Sequence, residues 1–144
     1  MDTQNYANHR KTVPGFHFFL LPVLLLTFGG AVNNLVRAWN DHSRVYSASL
    51  ILVLTVCTTL AALFGRMFAL KAQDRAIRAE ENLRHFVLTG KLLDPRLTIR
   101  QIIGLRFASD AEFVALAGRA AATNLSEDDI KKAITSWKPD LYRV

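Results

Sequence analysis

Two long apolar stretches dominate the chain, and most of the sequence after them reads in helical period. Residues Phe16 to Val36 contain no Asp, Glu, Lys or Arg, and neither do Val45 to Gly65. A hydrocarbon core of ~30 Å takes about 20 helical residues at ~1.5 Å each, so each stretch predicts a membrane-spanning helix. Trp39 to Val45 between them are short and polar, which predicts antiparallel neighbours in a hairpin. Trp39 and Tyr46 stand where aromatic rings prefer the headgroup layer.

The second apolar stretch runs on without a break. The segment "FALKAQDRAIRAEENLRHFVLTG", Phe68 to Gly90, stays helix-friendly up to Gly90 while taking on charges of both signs. Steps of three and four residues give Thr55, Thr58, Ala62, Gly65, Ala69, Ala72, Ala76, Ala79, Leu83 and Phe86. This is a heptad-style seam that passes the predicted membrane boundary in phase. Its residues are small until the far end, and Gly65-x-x-x-Ala69 lets helix backbones approach closely in lipid. Alanine also raises helix propensity by itself; as a pattern, however, the seam predicts a partner helix, either the first span or a second copy. Asp74–Arg78, Glu80–Arg84 and Glu81–His85 place acid four residues before base, worth ~0.2–0.5 kcal/mol each on a solvated helix. Residues 71–89 therefore predict a stalk ending at Gly90, a left-handed stop.

Beyond Asp94-Pro95, three start signals recur. Thr98-x-x-Gln101, Ser109-x-x-Glu112 and Ser126-x-x-Asp129 each place a hydroxyl three residues before a side chain that reaches back. Leu97 with Ile102, and Leu125 with Ile130, fit the hydrophobic staple. Phe113, Leu116, Ala117 and Ala120 share one face, as do Ile130, Ala133, Ile134 and Trp137, with Pro139 as the stop. The fold class is all-α: a membrane helical hairpin whose second helix extends into a cytoplasmic stalk, followed by a small three-helix module. The divisions are 1–15 (polar segment), 16–38 (first span), 39–45 (external loop), 46–70 (second span), 71–89 (stalk) and 90–144 (module).

Charge then orients the hairpin. The net charge is +6 among 144 residues. Arg10 and Lys11 precede the first span, and Arg66, Lys71, Arg75, Arg78 and Arg84 follow the second. Positive residues favour the cytoplasmic side, which puts both termini there and the loop outside. His9-Arg10-Lys11 with the apolar run and Gly29-Gly30-Ala31 also resembles a cleavable signal, but Val32, Leu35 and Val36 continue it as an uncleaved span. The one cysteine, Cys57, sits inside the second span, so an internal disulfide is impossible.

Candidate chemistry is sparse. Thr89-Gly90-Lys91 lacks the remainder of a phosphate loop. His9, His17, His42 and His85 have neither a helical partner nor a companion cysteine, so no metal site is expected. Ser43, Ser47 and Ser49 lack a neighbouring base, and His85 beside Glu81 reads as a helix-surface pair. The helix pair from Thr98 has helix-turn-helix spacing, but Asp110 and Glu112 open its second helix where base-reading residues belong, so no nucleic acid is expected. Asn33 and Asn34 are the exception within an apolar span: they line a polar pathway, or they bond across helices near the external end.

The stalk and its sequel, with "LTIRQIIGLRFASDAEFVALAGRAA" and "IKKAITSWKPDLYRV", resemble an uncharacterised family of small two-span bacterial membrane proteins, a domain of unknown function. Gln4 to His9, Pro14 to Pro22 and Tyr46 to Leu52 extend that resemblance over nearly the whole chain. It implies a bacterial inner membrane location and brings no activity or functional residue. The expectation is a membrane-anchored interaction or scaffold protein, not an enzyme, without cofactor or small-molecule substrate. Its partners are the lipid bilayer and a second copy or another membrane protein. An accessory subunit of a transporter or channel is the alternative.

Overall fold

The structure, a computed structural model, describes residues 4–9 and 12–140. It is all-helical: a π-helical turn at Gly15–Leu20 runs into α1 (Leu21–Ala38), followed by α2 (His42–Thr89), α3 (Ile99–Leu105), α4 (Asp110–Thr123) and α5 (Glu127–Ala133). Gly15–Ala38 and His42–Thr89 are both long and apolar enough to cross a membrane. The chain divides into two compact units, Thr12–Ala69 and the described parts of Met1–Lys11 with Leu70–Val144.

In the first unit, buried positions repeat every seven residues, at Leu24, Ala31 and Ala38 on α1 and at Ala48 and Thr55 on α2. Apart from Leu24, the side chains at these positions are small and permit close backbone packing. The Thr55 hydroxyl donates to Ile51 O at 2.8 Å, which removes the cost of an unpaired polar group there. Many outward residues are large and apolar, with Leu25, Leu26 and Leu54 each about two-thirds to three-quarters exposed. Just ahead of Pro22 the helix opens into a wide turn, where Leu21 N–H donates to Phe16 O. A proline so placed forfeits a donor where the helix is already opened. The loop is shorter than the expected 39–45, because Asp41 starts α2 early. Its carboxylate accepts from the Ser43 amide at 3.0 Å and hydroxyl at 2.6 Å, and these bonds lower its pKa.

The second unit has a continuous apolar core. Ile77 of α2 joins Leu93, Leu97, Ile102, Leu105, Phe107, Phe113 and Ile130 in one buried cluster. The expected solvated stalk is thus one wall of the module. Gly90 ends α2 at φ +74, a conformation open to glycine. The returning chain is then pinned to α2: Asn82 Oδ1 accepts from Leu93 N at 3.2 Å, and Arg78 donates to Leu97 O at 3.3 Å.

Caps set the module's helices. Thr98 and Gln101 form a full capping box on α3. Buried Gln101 also donates from Nε2 to Asn124 Oδ1 at 3.2 Å and Leu125 O at 2.9 Å, tying the start of α3 to the end of α4. On α5, the Ser126 hydroxyl accepts from Asp129 N at 3.1 Å. Ser109 makes no such bond; three residues on, Glu112 ties the start of α4 to the chain after α5. Its carboxylate accepts from Thr135 N and Oγ1 at 3.1 and 2.7 Å and from Ser136 N at 3.0 Å.

Gly104 marks a close crossing: a Cβ there would meet Glu127 O at 3.1 Å and Ile130 Cγ2 at 3.2 Å. The last apolar face differs from expectation, since α5 ends at Ala133 and Ile134 is extended (ψ 124). Residues beyond it run beside Phe107 to Ser109, with an isolated antiparallel bridge between Ala108 and Trp137. Ser109 N donates to Ser136 O at 3.0 Å, and Lys138 N to Phe107 O at 2.7 Å. Ile134 and Trp137 still pack on the core.

Candidate functional site: an open face of α2 and the cleft beside it

Within the second unit α2 has two unlike sides. The inner side carries Ile77, Glu81 and Arg84. Glu81 is 7% exposed, and burial raises its carboxyl pKa, opposed by hydrogen bonding and charge from Arg84. Arg84 gathers the packing at this point. It contacts Glu81 at 3.0 Å and Asp110 at 2.6 Å, donates to Ala108 O at 2.7 Å, and lies over the Phe113 ring at 4.2 Å. These bonds replace the expected Glu80–Arg84 pair, since the module brings Asp110 and the Ala108 carbonyl to the guanidinium. His85 likewise leaves Glu81: its Nδ1 lies 2.7 Å from Lys91 O, and its ring meets the edge of Phe113. A base held by an orienting carboxylate is therefore not assembled there.

The outer side is the expected seam. Ala72, Ala76, Ala79, Leu83 and Phe86 are all exposed, as are Thr58, Gly65 and Ala69 in the first unit, while Ala62 is half-buried. The apolar end stands out: Leu83, Phe86 and Val87 are 63%, 51% and 74% exposed. A groove of about 390 Å³ beside them is lined by Leu83, Val87, Leu88, Glu80, Arg84 and Asp110. Asn33 is exposed and Asn34 half-buried on α1; neither belongs to the second unit.

Between the seam and the module lies a polar cleft of about 210 Å³, lined by Gln73, Glu80, Glu81, Arg106, Lys138 and Asp140 among others. Arg106 pairs with Asp140 at 3.0 Å and lies 4.7 Å from the Phe107 ring centroid. The cleft falls below the ~300–1,000 Å³ usual for small-molecule pockets, and its Arg106–Asp140 and Glu81–Arg84 charges are already paired. Among the described residues no three His, Cys, Asp or Glu side chains converge as a metal site.

The N-terminal segment is part of this unit, which its sequence does not announce. Tyr6 donates its hydroxyl to Asp128 Oδ1 at 2.6 Å, while Asp128 is also held by Lys132. His9 packs against Phe107 and Trp137, with ring centroids 5.9 Å away in both cases. Asp140 N donates to Gln4 Oε1 at 2.7 Å. Isolated aromatic residues in a polar stretch carry no period that would have revealed these contacts. Arg10 and Lys11, the charge markers ahead of the first span, lie outside the described residues.

A family match spans residues 1–144, from end to end. The chain belongs to the family of unknown function DUF6526. No curated protein and no solved structure matches it. For this DUF6526 chain, the functional reading therefore rests on its own residues.

Proposed function

We propose that this protein is a membrane-anchored interaction or scaffold protein. In this reading α1 and the apolar part of α2 form a two-span anchor in a bacterial inner membrane, and the module is displayed in the cytoplasm. The open face of α2 receives a partner in the same membrane, either a second copy or another protein. The observation that carries the reading is the exposure of Leu83, Phe86 and Val87 beside the alanine seam. Contiguous apolar surface outside a membrane span marks interaction surfaces in soluble regions. Same-side termini are supported by Tyr6 and His9, which precede α1 and pack on residues that follow α2. The cytoplasmic assignment draws on Arg66, Lys71, Arg75 and Arg78 after the second span.

The test is affinity capture of tagged full-length protein from detergent-solubilised native membranes, compared with Leu83→Asp/Phe86→Asp. Recovery of a stoichiometric partner or homo-oligomer by the parent, lost in the variant, is expected. Recovery of a monomer alone in both overturns the reading.

A further inference from the structure

The open face specifies its own occupant. Ala69, Ala72, Ala76, Ala79, Leu83 and Phe86 alternate in steps of three and four, the strict 3.5-residue repeat of a left-handed coiled coil. In heptad terms Ala69, Ala76 and Leu83 are a positions, and Ala72, Ala79 and Phe86 are d positions. Arg75 then falls at g and Glu80 at e. Both are exposed, and neither has an ion-pair partner among the described residues.

We infer that a second copy of this chain occupies the face, with the two α2 helices parallel and in register. This rests on the interaction reading above and names its partner. In a parallel pair, g faces the e of the next heptad on the partner helix, so Arg75 of each copy meets Glu80 of the other. An antiparallel pair matches g with g and e with e. Its candidates are Phe68, Arg75 and Asn82 on one edge and Gln73, Glu80 and Val87 on the other, and neither edge offers opposite charges. Charge complementarity therefore selects the parallel arrangement. Two copies anchored in one membrane with the same topology are parallel as well. The small Ala72, Ala76 and Ala79 allow close approach, and Leu83 and Phe86 supply the apolar contact at the far end. At the adjoining e position, exposed Val87 becomes covered.

The test uses the full chain in lipid nanodiscs and in native membranes, in a Cys57→Ser background. Single cysteines at Ala72, Ala79 and Leu83 are oxidised, with Lys71→Cys as an off-face exposed control. Disulfide dimers at the first three and few at Lys71 are expected. Arg75→Glu alone and Glu80→Arg alone each weaken dimerisation, by up to roughly tenfold given two like-charge contacts per dimer. The double swap, Arg75→Glu/Glu80→Arg, restores it. Equal crosslinking at Lys71, or no restoration by the double swap, overturns the pairing. Seam adducts only to another protein in native membranes also overturn it, yet leave the interaction reading intact. A monomer without any seam adduct defeats both.

Discussion

Replacing Arg84 by methionine keeps the length of the side chain and removes its charge, a direct trial of what holds the module to α2. Two of its partners are unlike. The Asp110 side chain is 66% exposed, and exposed pairs contribute only ~0–1 kcal/mol. The Glu81 side chain is 9% exposed and that of Arg84 11%, so Arg84→Met leaves a carboxylate buried without its cation. Breaking a buried pair on one side costs about 3–5 kcal/mol. The orphaned Ala108 carbonyl and lost ring stack overlap with that figure rather than adding to it, and the expected loss is ~3–5 kcal/mol in total. Trp137, packed on the core, reports unfolding by its fluorescence in a Trp39→Phe background, during urea titration of the full chain in nanodiscs. The partner variant Glu81→Leu/Arg84→Met removes both charges and is expected to recover more than half of the loss, since apolar replacement of a whole buried pair is often neutral. A single-variant cost under about 1 kcal/mol, or a double variant no better than the single, refutes the reasoning.

Other expectations rest on the module's geometry. Gly104→Val forces a side chain against the Glu127 carbonyl and should cost ~1–3 kcal/mol, whereas Gly118→Ala, in open space on α4, should stabilise by up to about 1 kcal/mol; urea midpoints of both decide. Thr98→Ala should lose ~1 kcal/mol with its capping box, and Ser109→Ala clearly less because its hydroxyl makes no cap bond; equal losses would contradict the cap assignment. Burial opposes ionisation of Glu112, but bonds from the Thr135 hydroxyl and the Thr135 and Ser136 amides outweigh it and lower its pKa. Its stabilisation is therefore present above the unfolded value of ~4.3 and disappears as pH falls through the lower folded value. Glu112→Gln should accordingly flatten the acid limb of stability, measured from neutral pH down to about pH 3.

The helices were legible in the sequence wherever one local signal sufficed. Charge-free runs gave the two long apolar helices, Gly90 gave the end of α2, and Thr98-x-x-Gln101 and Ser126-x-x-Asp129 gave the starts of α3 and α5. The shared face of Ala72, Ala76, Ala79, Leu83 and Phe86 can be counted from the helix repeat alone, and the structure adds that these residues are exposed. Reading failed where long-range partners outbid local ones. Glu112 reaches on to Thr135 and Ser136, Arg84 passes over Glu80 for Glu81, Asp110 and Ala108, and His85 turns from Glu81 to the Lys91 carbonyl. Nothing local to Ile77 or Glu81 distinguishes a wall of the core from a solvated stalk. The bridge between Ala108 and Trp137 shortens α5 for the same reason: extended pairing competes with the helical phase that Ile134 and Trp137 otherwise fit.

The clasp made by Gln4, Tyr6 and His9 joins parts of the chain that are synthesised far apart. Tyr6 and Asp128 are separated by 122 positions, so the early residues leave the ribosome long before their acceptors exist. The clasp therefore cannot close before α5 has been made. Loop-closure entropy grows only with the logarithm of length, so the delay is kinetic more than energetic. Once closed, the segment is held by hydrogen bonds of Gln4 and Tyr6 and by the His9 ring, so it is expected to reopen before the core does. Phe107 and Trp137 would then lose their His9 cover at a rate set by this segment alone, while the core beneath stays folded. Limited proteolysis near Asn8 thus becomes a clock for module completion in the growing chain and for local opening in the finished one.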